Sequence, residues 1–101
     1  MLIYIDIDET ICTTPGNKSL ARDYSKATPL VNNIEKANKL FDEGHTIVYW
    51  TARGTMSGIC WFQETLKQLN AWGVKFHELR MGKPSYDLFI CDKTLNTEDW
   101  K

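Results

Sequence analysis

The segment LIYIDIDETIC, residues 2 to 12, runs from an apolar stretch into Asp6 and Asp8. Residues two apart on an extended chain point to the same side, so the pleat aims both carboxylates into one small volume. Like charges held that close repel and perturb each other's protonation unless a cation or a chemical task compensates. Further polar groups close later apolar runs: Thr51 follows TIVYW, Lys83 sits between Gly82 and Pro84, and Asp92 follows DLFIC. Paired carboxylates suit a hard divalent cation such as Mg2+, which keeps waters and phosphate oxygens in its shell. A lysine would be redundant in a plain cation site, but beside a metal it balances a phosphoryl group. Thr51 adds a neutral donor to the same oxygens. One aspartate could then attack phosphorus while the other protonates the leaving oxygen.

The elements that must position these groups are legible as periodicities. Residues 2–7 form an apolar run expected to be a central parallel strand. Residues 9–28 hold Pro15, Gly16 and many polar residues without a sustained period, and form a loop or flap in which Lys18, Arg22 and Tyr24 are open to substrate or solvent. Thr28 followed by Pro29 suggests a helix start, with Leu30, Ile34, Ala37 and Phe41 on one face and Gly44 as the stop. Residues 46–50 read as a second strand, Ile59, Phe62, Leu66 and Leu69 as a second helix stopped by Gly73, residues 74–79 as a weaker third strand, and residues 87–91 as a fourth. Strands alternating with helices imply βαβ units and a small doubly wound α/β sheet, whose ligands bind beyond the carboxyl ends of the strands. The polar groups named above fall at those ends.

These residues resemble the haloacid dehalogenase superfamily, in particular its small phosphatases. The four motifs occur in order as YIDIDET, IVYWTARG, MGKPSYD and DLFICDK, and the resemblance spans residues 2 to about 96. It implies a Rossmann-like three-layer domain with a mainly parallel sheet of strand order 3-2-1-4, and Mg2+-dependent hydrolysis of a small phosphomonoester such as a sugar phosphate or a nucleotide. Asp6 would be the nucleophile that forms an aspartyl phosphate. Asp8 would be the acid and base, its carbonyl also reaching the metal. Thr51 and Lys83 would hold the phosphoryl oxygens, Thr10, Ala52 and Arg53 would lie at the substrate, and Asp6, Asp8 and Asp92 would hold Mg2+. Arg53 alone reads equally as a partner for an acid. Related small members read DLFIDDK, so Cys91 replaces one acid of a pair, and a thiol is a poorer match for Mg2+. Position 91 faces either the metal or the core.

Neither interval between motifs has room for a cap domain. The site is therefore expected to be open, which suits either a large substrate or cover by a second subunit, with Trp61 as one candidate contact. At 101 residues the chain is a single domain, with an ordinary hydrophobic fraction of 43% and a net charge of -1. That balance gives no general attraction to nucleic acid or anionic membrane. Cys12, Cys60 and Cys91 lack CxxC spacing, the initial apolar run is short for a signal peptide, and no segment is long enough to span a bilayer, so the expected location is the cytoplasm. A calcium loop is disfavoured because a strand precedes the acids and Ile11 stands where glycine is needed. A rival from another class is a degenerate member that binds phosphorylated ligands or a partner without efficient turnover.

Overall fold

The computed structural model describes residues 1–16 and 22–101, so Lys18 and part of the expected flap lie outside the described residues. In chain order the elements are β1 (Leu2–Ile5), β2 (Cys12–Thr13), β3 (Thr28–Pro29), α1 (Val31–Asp42), β4 (Thr46–Trp50), α2 (Phe62–Ala71) and β5 (Glu78–Arg80). Short 3-10 turns lie at Tyr24–Lys26 and Thr97–Asp99. The main sheet has the order β1-β4-β5 and is parallel throughout, with Ile3 beside Ile47 and Val48 beside Glu78.

β4 is central because its β-branched and aromatic residues can be buried on both faces, and Ile47, Val48 and Tyr49 are all buried. Alternation sends Ile3 and Ile5 of β1, and Ile47 and Tyr49 of β4, to one face of the sheet. There they share a single core with Ile34 and Ala37 of α1 and Leu69 of α2. Ile7 and Ile11, which follow β1, are fully buried in the same core. This anchors the chain on both sides of Asp8. At the end of α2, Gly73 adopts φ +70° and Val74 N–H donates to the Leu69 carbonyl at 2.9 Å, which stops the helix as the sequence suggests.

Several expectations are corrected. Thr28 and Pro29 do not open the first helix; they pair antiparallel with Thr13 and Cys12 as β3, and Leu30 N–H extends the ladder to the Ile11 carbonyl at 2.8 Å. Helix α1 starts at Val31 with Leu30 as a cap that makes no side-chain bond. Pairing with the turn after β1 outweighs the local capping preference. The ends of the expected loop at 9–28 are therefore held together by a small two-stranded sheet. Both helices serve the one core, so the described residues form two layers rather than three.

The largest departure concerns DLFIC. Residues 87–91 form no strand, and every residue from Pro84 to Asn96 is exposed. The segment is an arm that leaves the domain at Lys83 and returns at Trp100, where Lys36 Nζ donates to the Trp100 carbonyl at 2.8 Å. With no fourth strand, the sheet order 3-2-1-4 reduces to three strands. β1 has one unpaired edge among the described residues.

The fully buried Leu69 ties α2 to the sheet. Leu69→Ala is expected to lower unfolding free energy by about 2–5 kcal/mol, read from urea denaturation.

Candidate active site

The chain leaves β1 and turns sharply: Thr10 and Ile11 N–H both donate to the Ile7 carbonyl, at 3.1 and 2.9 Å. Glu9 holds the left-handed φ of 62°, with its N–H on the Cys12 carbonyl at 2.7 Å. Its carboxylate accepts from Thr13 Oγ1, Thr14 N–H and Arg22 Nη2, each at 3.2 Å. These bonds hold a conformation that a non-glycine residue adopts at a cost. The turn presents Asp6 and Asp8 at the carboxyl end of the sheet.

Asp6 faces Lys83, with Nζ 3.5 Å from Oδ1. Lys83 is placed by the sheet: its N–H donates to the Thr51 carbonyl at 3.0 Å, its carbonyl accepts from Thr55 Oγ1 at 2.8 Å, and its ammonium lies over the Tyr86 ring. Thr51 is buried, with N–H on the Arg80 carbonyl at 3.0 Å and Oγ1 accepting from Arg53 N–H at 3.1 Å. Burial raises the Asp6 carboxyl above its ordinary range, and the Lys83 charge only partly offsets it; the Asp8 charge adds to the rise.

Asp8 has the opposite environment. Burial alone would raise it, yet the hydrogen bonds and charge of Arg53 outweigh burial and hold its carboxyl below the ordinary range. The pair is bidentate, with Nη2 to Oδ1 at 2.9 Å and Nε to Oδ2 at 3.0 Å. Thr14 Oγ1 also donates to Oδ1, at 2.6 Å. Arg53 is 2% exposed. Its Nη1 donates to Thr65 Oγ1 and Gln68 Oε1, Nη2 also reaches Cys12 Sγ at 3.7 Å, and the guanidinium stacks over Tyr24. The Cys12 thiol is pushed up to about 12, first by burial and then by the Asp8 charge. Next to Arg53, Gly54 has φ +82°, and a Cβ there would overlap the Ile59 carbonyl oxygen, so only glycine fits.

The structure therefore brings together Asp6, Asp8, Thr51, Arg53 and Lys83. Arg53 takes the role of acid partner and is turned away from solvent. Thr10, two residues after Asp8, and Ala52, between Thr51 and Arg53, are half-buried, and their backbones are used internally: the Thr10 carbonyl accepts from Asn33 Nδ2 at 2.8 Å and the Ala52 carbonyl from Thr55 N–H at 3.0 Å. Asp92 is not in the site; it lies exposed on the arm, with Cys91 Sγ 3.7 Å from its Oδ1. Trp61 packs edge-on against Tyr24 within the protomer. The sequence reading missed Thr14, Thr65 and Gln68. The last two sit three apart on α2, a spacing that places two polar groups on one helix face, and both are buried.

No family model matches the chain, and no curated protein matches it. A solved structure, the crystal structure of an MCSG target from Vibrio cholerae, has a similar fold. The likeness has a TM-score of 0.82 at 21% identity and covers 99% of this chain and 87% of that one.

Two outcomes are expected from this geometry. Arg53→Met leaves Asp8 partly buried without its cation, and is expected to cost about 3–5 kcal/mol of unfolding free energy. Asp6→Asn is expected to raise the melting temperature at pH 7. Because the folded-state pKa of Asp6 is raised, ionised Asp6 costs stability above that pKa. The gain should shrink as pH falls through the raised value and vanish below the ordinary 3.8, where both states carry the proton. Melting curves from pH 3.5 to 7 check the trend.

Proposed function

We propose that the chain is a Mg2+-dependent phosphomonoesterase of the haloacid dehalogenase kind, acting on a small phosphorylated metabolite such as a sugar phosphate or a nucleotide. The observation that carries this reading is Asp6 at the carboxyl end of β1 with Lys83 Nζ at 3.5 Å, a carboxylate nucleophile beside a fixed cation where such sheets bind ligands. In this reading an Asp6 oxygen attacks phosphorus, the bond to the ester oxygen breaks, and that oxygen takes a proton from solvent water. Water then attacks the aspartyl phosphate, releasing orthophosphate and restoring Asp6. Lys83 offsets charge on the phosphoryl oxygens, and Thr51 fixes Lys83 through its backbone. Asp8 enters ionised, so it is suited to taking the proton of the attacking water once an oxygen is released from Arg53.

The same reading completes the Rossmann-like sheet, order 3-2-1-4, by setting residues 87–91 beside β1. Mg2+ asks for one or two carboxylates with open oxygens. One protomer offers Asp6, while both Asp8 oxygens accept from Arg53 and Asp92 stands on the arm. No group of three acids, histidines or cysteines that could hold an ion occurs among the described residues. The described residues of a single protomer do not by themselves fit such an ion.

A second reading, binding of a phosphorylated ligand without turnover, is favoured by the capture of Asp8. Phosphate release from an aryl phosphate and a metabolite panel, with and without Mg2+, separates the two. The first reading expects metal-dependent release that Asp6→Asn abolishes, and a Lys83→Ala variant that loses turnover and inhibition by orthophosphate. Orthophosphate binding that depends on Lys83, with no release from any substrate, would establish the second.

A further inference from the structure

The arm carries the apolar pattern of a strand, yet nothing among the described residues of its own protomer covers it. Leu88 is 75% exposed and Ile90 86%, and Phe89 and Leu95 are exposed with them. β1, meanwhile, offers one unpaired edge, flanked by exposed Leu2 and Tyr4. An open edge and a spare strand in one molecule are complementary, since each supplies the backbone partners the other lacks.

The arm cannot close this edge within its own protomer in the direction the site requires. Thr51 directs both its N–H and its carbonyl toward the β5 side, so Lys83, bonded to that carbonyl, starts on the far side of β4 from the open edge of β1. To run parallel to β1 and deliver Asp92 at the carboxyl end, residue 87 must lie one strand length lower, about 13 Å, and about three strand spacings across, roughly 14 Å. The separation is about 19 Å, whereas four residues from Lys83 to Asp87 span at most about 14 Å. Parallel crossovers ordinarily need a dozen or more residues. An antiparallel return is within reach but carries Asp92 to the wrong end of the sheet.

We propose that residues 87–91 add as a parallel strand to the outer edge of β1 in a second copy of this chain, reciprocally, so that each site of the dimer receives Asp92 from the other chain. A two-fold exchange of this kind leaves neither edge nor arm unpaired. It also brings a further carboxylate to the site, and both this role of Asp92 and the parallel direction of the added strand rest on the phosphatase reading.

Sedimentation and light scattering on the wild type and on Ile90→Lys test the exchange without reference to activity. Ile90 is exposed in the protomer, so the lysine leaves the protomer folded, as circular dichroism will verify. A wild-type dimer that Ile90→Lys converts to a folded monomer supports the proposal. A monomeric wild type, or a dimer indifferent to Ile90→Lys, overturns it. Co-expression of Asp6→Asn with Asp92→Asn tests the delivery of Asp92. In an exchanged heterodimer one site holds both lesions and the other none, so two nearly inactive variants are expected to recover roughly a quarter of the wild-type rate together. No recovery, with an active dimeric wild type, overturns delivery across the dimer. An inactive wild type would defeat the phosphatase reading alone, and the sedimentation result would still decide the exchange.

Discussion

The buried pair of Arg53 and Asp8 is the interaction on which the rest of the site depends. A guanidinium taken out of water is tolerated only when its hydrogens are met, and here all five N–H groups have partners: two on Asp8, and the others on Thr65, Gln68 and Cys12. Gln68 passes the connection on, donating from Nε2 to the Tyr24 carbonyl at 2.6 Å. One side chain thus joins the turn after β1, the segment after β4, helix α2 and the returning end of the flap. Gly54 permits it by letting the backbone pass against the Ile59 carbonyl.

This bridge also separates two aspartates that the pleat sets close together. Asp8 is held ionised by a cation that solvent does not reach, while Asp6 is raised by burial and faces a more accessible lysine. Two carboxylates with opposed environments can divide one reaction between them. The repulsion implied by the DID spacing is thus answered within the chain, by a different cation for each acid.

Much of this was legible in the sequence because burial writes periodicity. TIVYW announced the central strand, the spacing of Ile34, Ala37 and Phe41 announced α1, and the glycines announced the helix ends. The convergence of Asp6, Thr51 and Lys83 followed from placing polar residues at strand ends. Two kinds of information were not local. Thr28-Pro29 carries a capping signal, but its fate was decided by a distant partner, Cys12-Thr13. Arg53 reads equally as a substrate contact or as the partner of a surface acid until the polar groups of α2 are known to be buried around it. DLFIC has the composition of a buried strand, and composition reports the wish for a partner without saying which chain holds it.

The Cys12 thiol beside Asp8 has a practical consequence. Enclosed and held protonated at any physiological pH, it is a poor target for electrophiles and peroxides, which attack the thiolate. The two other cysteines are exposed, Cys91 on the arm and Cys60 ahead of α2. A fluorophore or spin label can therefore be attached at either one after removing the other, leaving the aspartate site chemically untouched, and the natural sequence already supplies a reporter position on the segment whose location matters most.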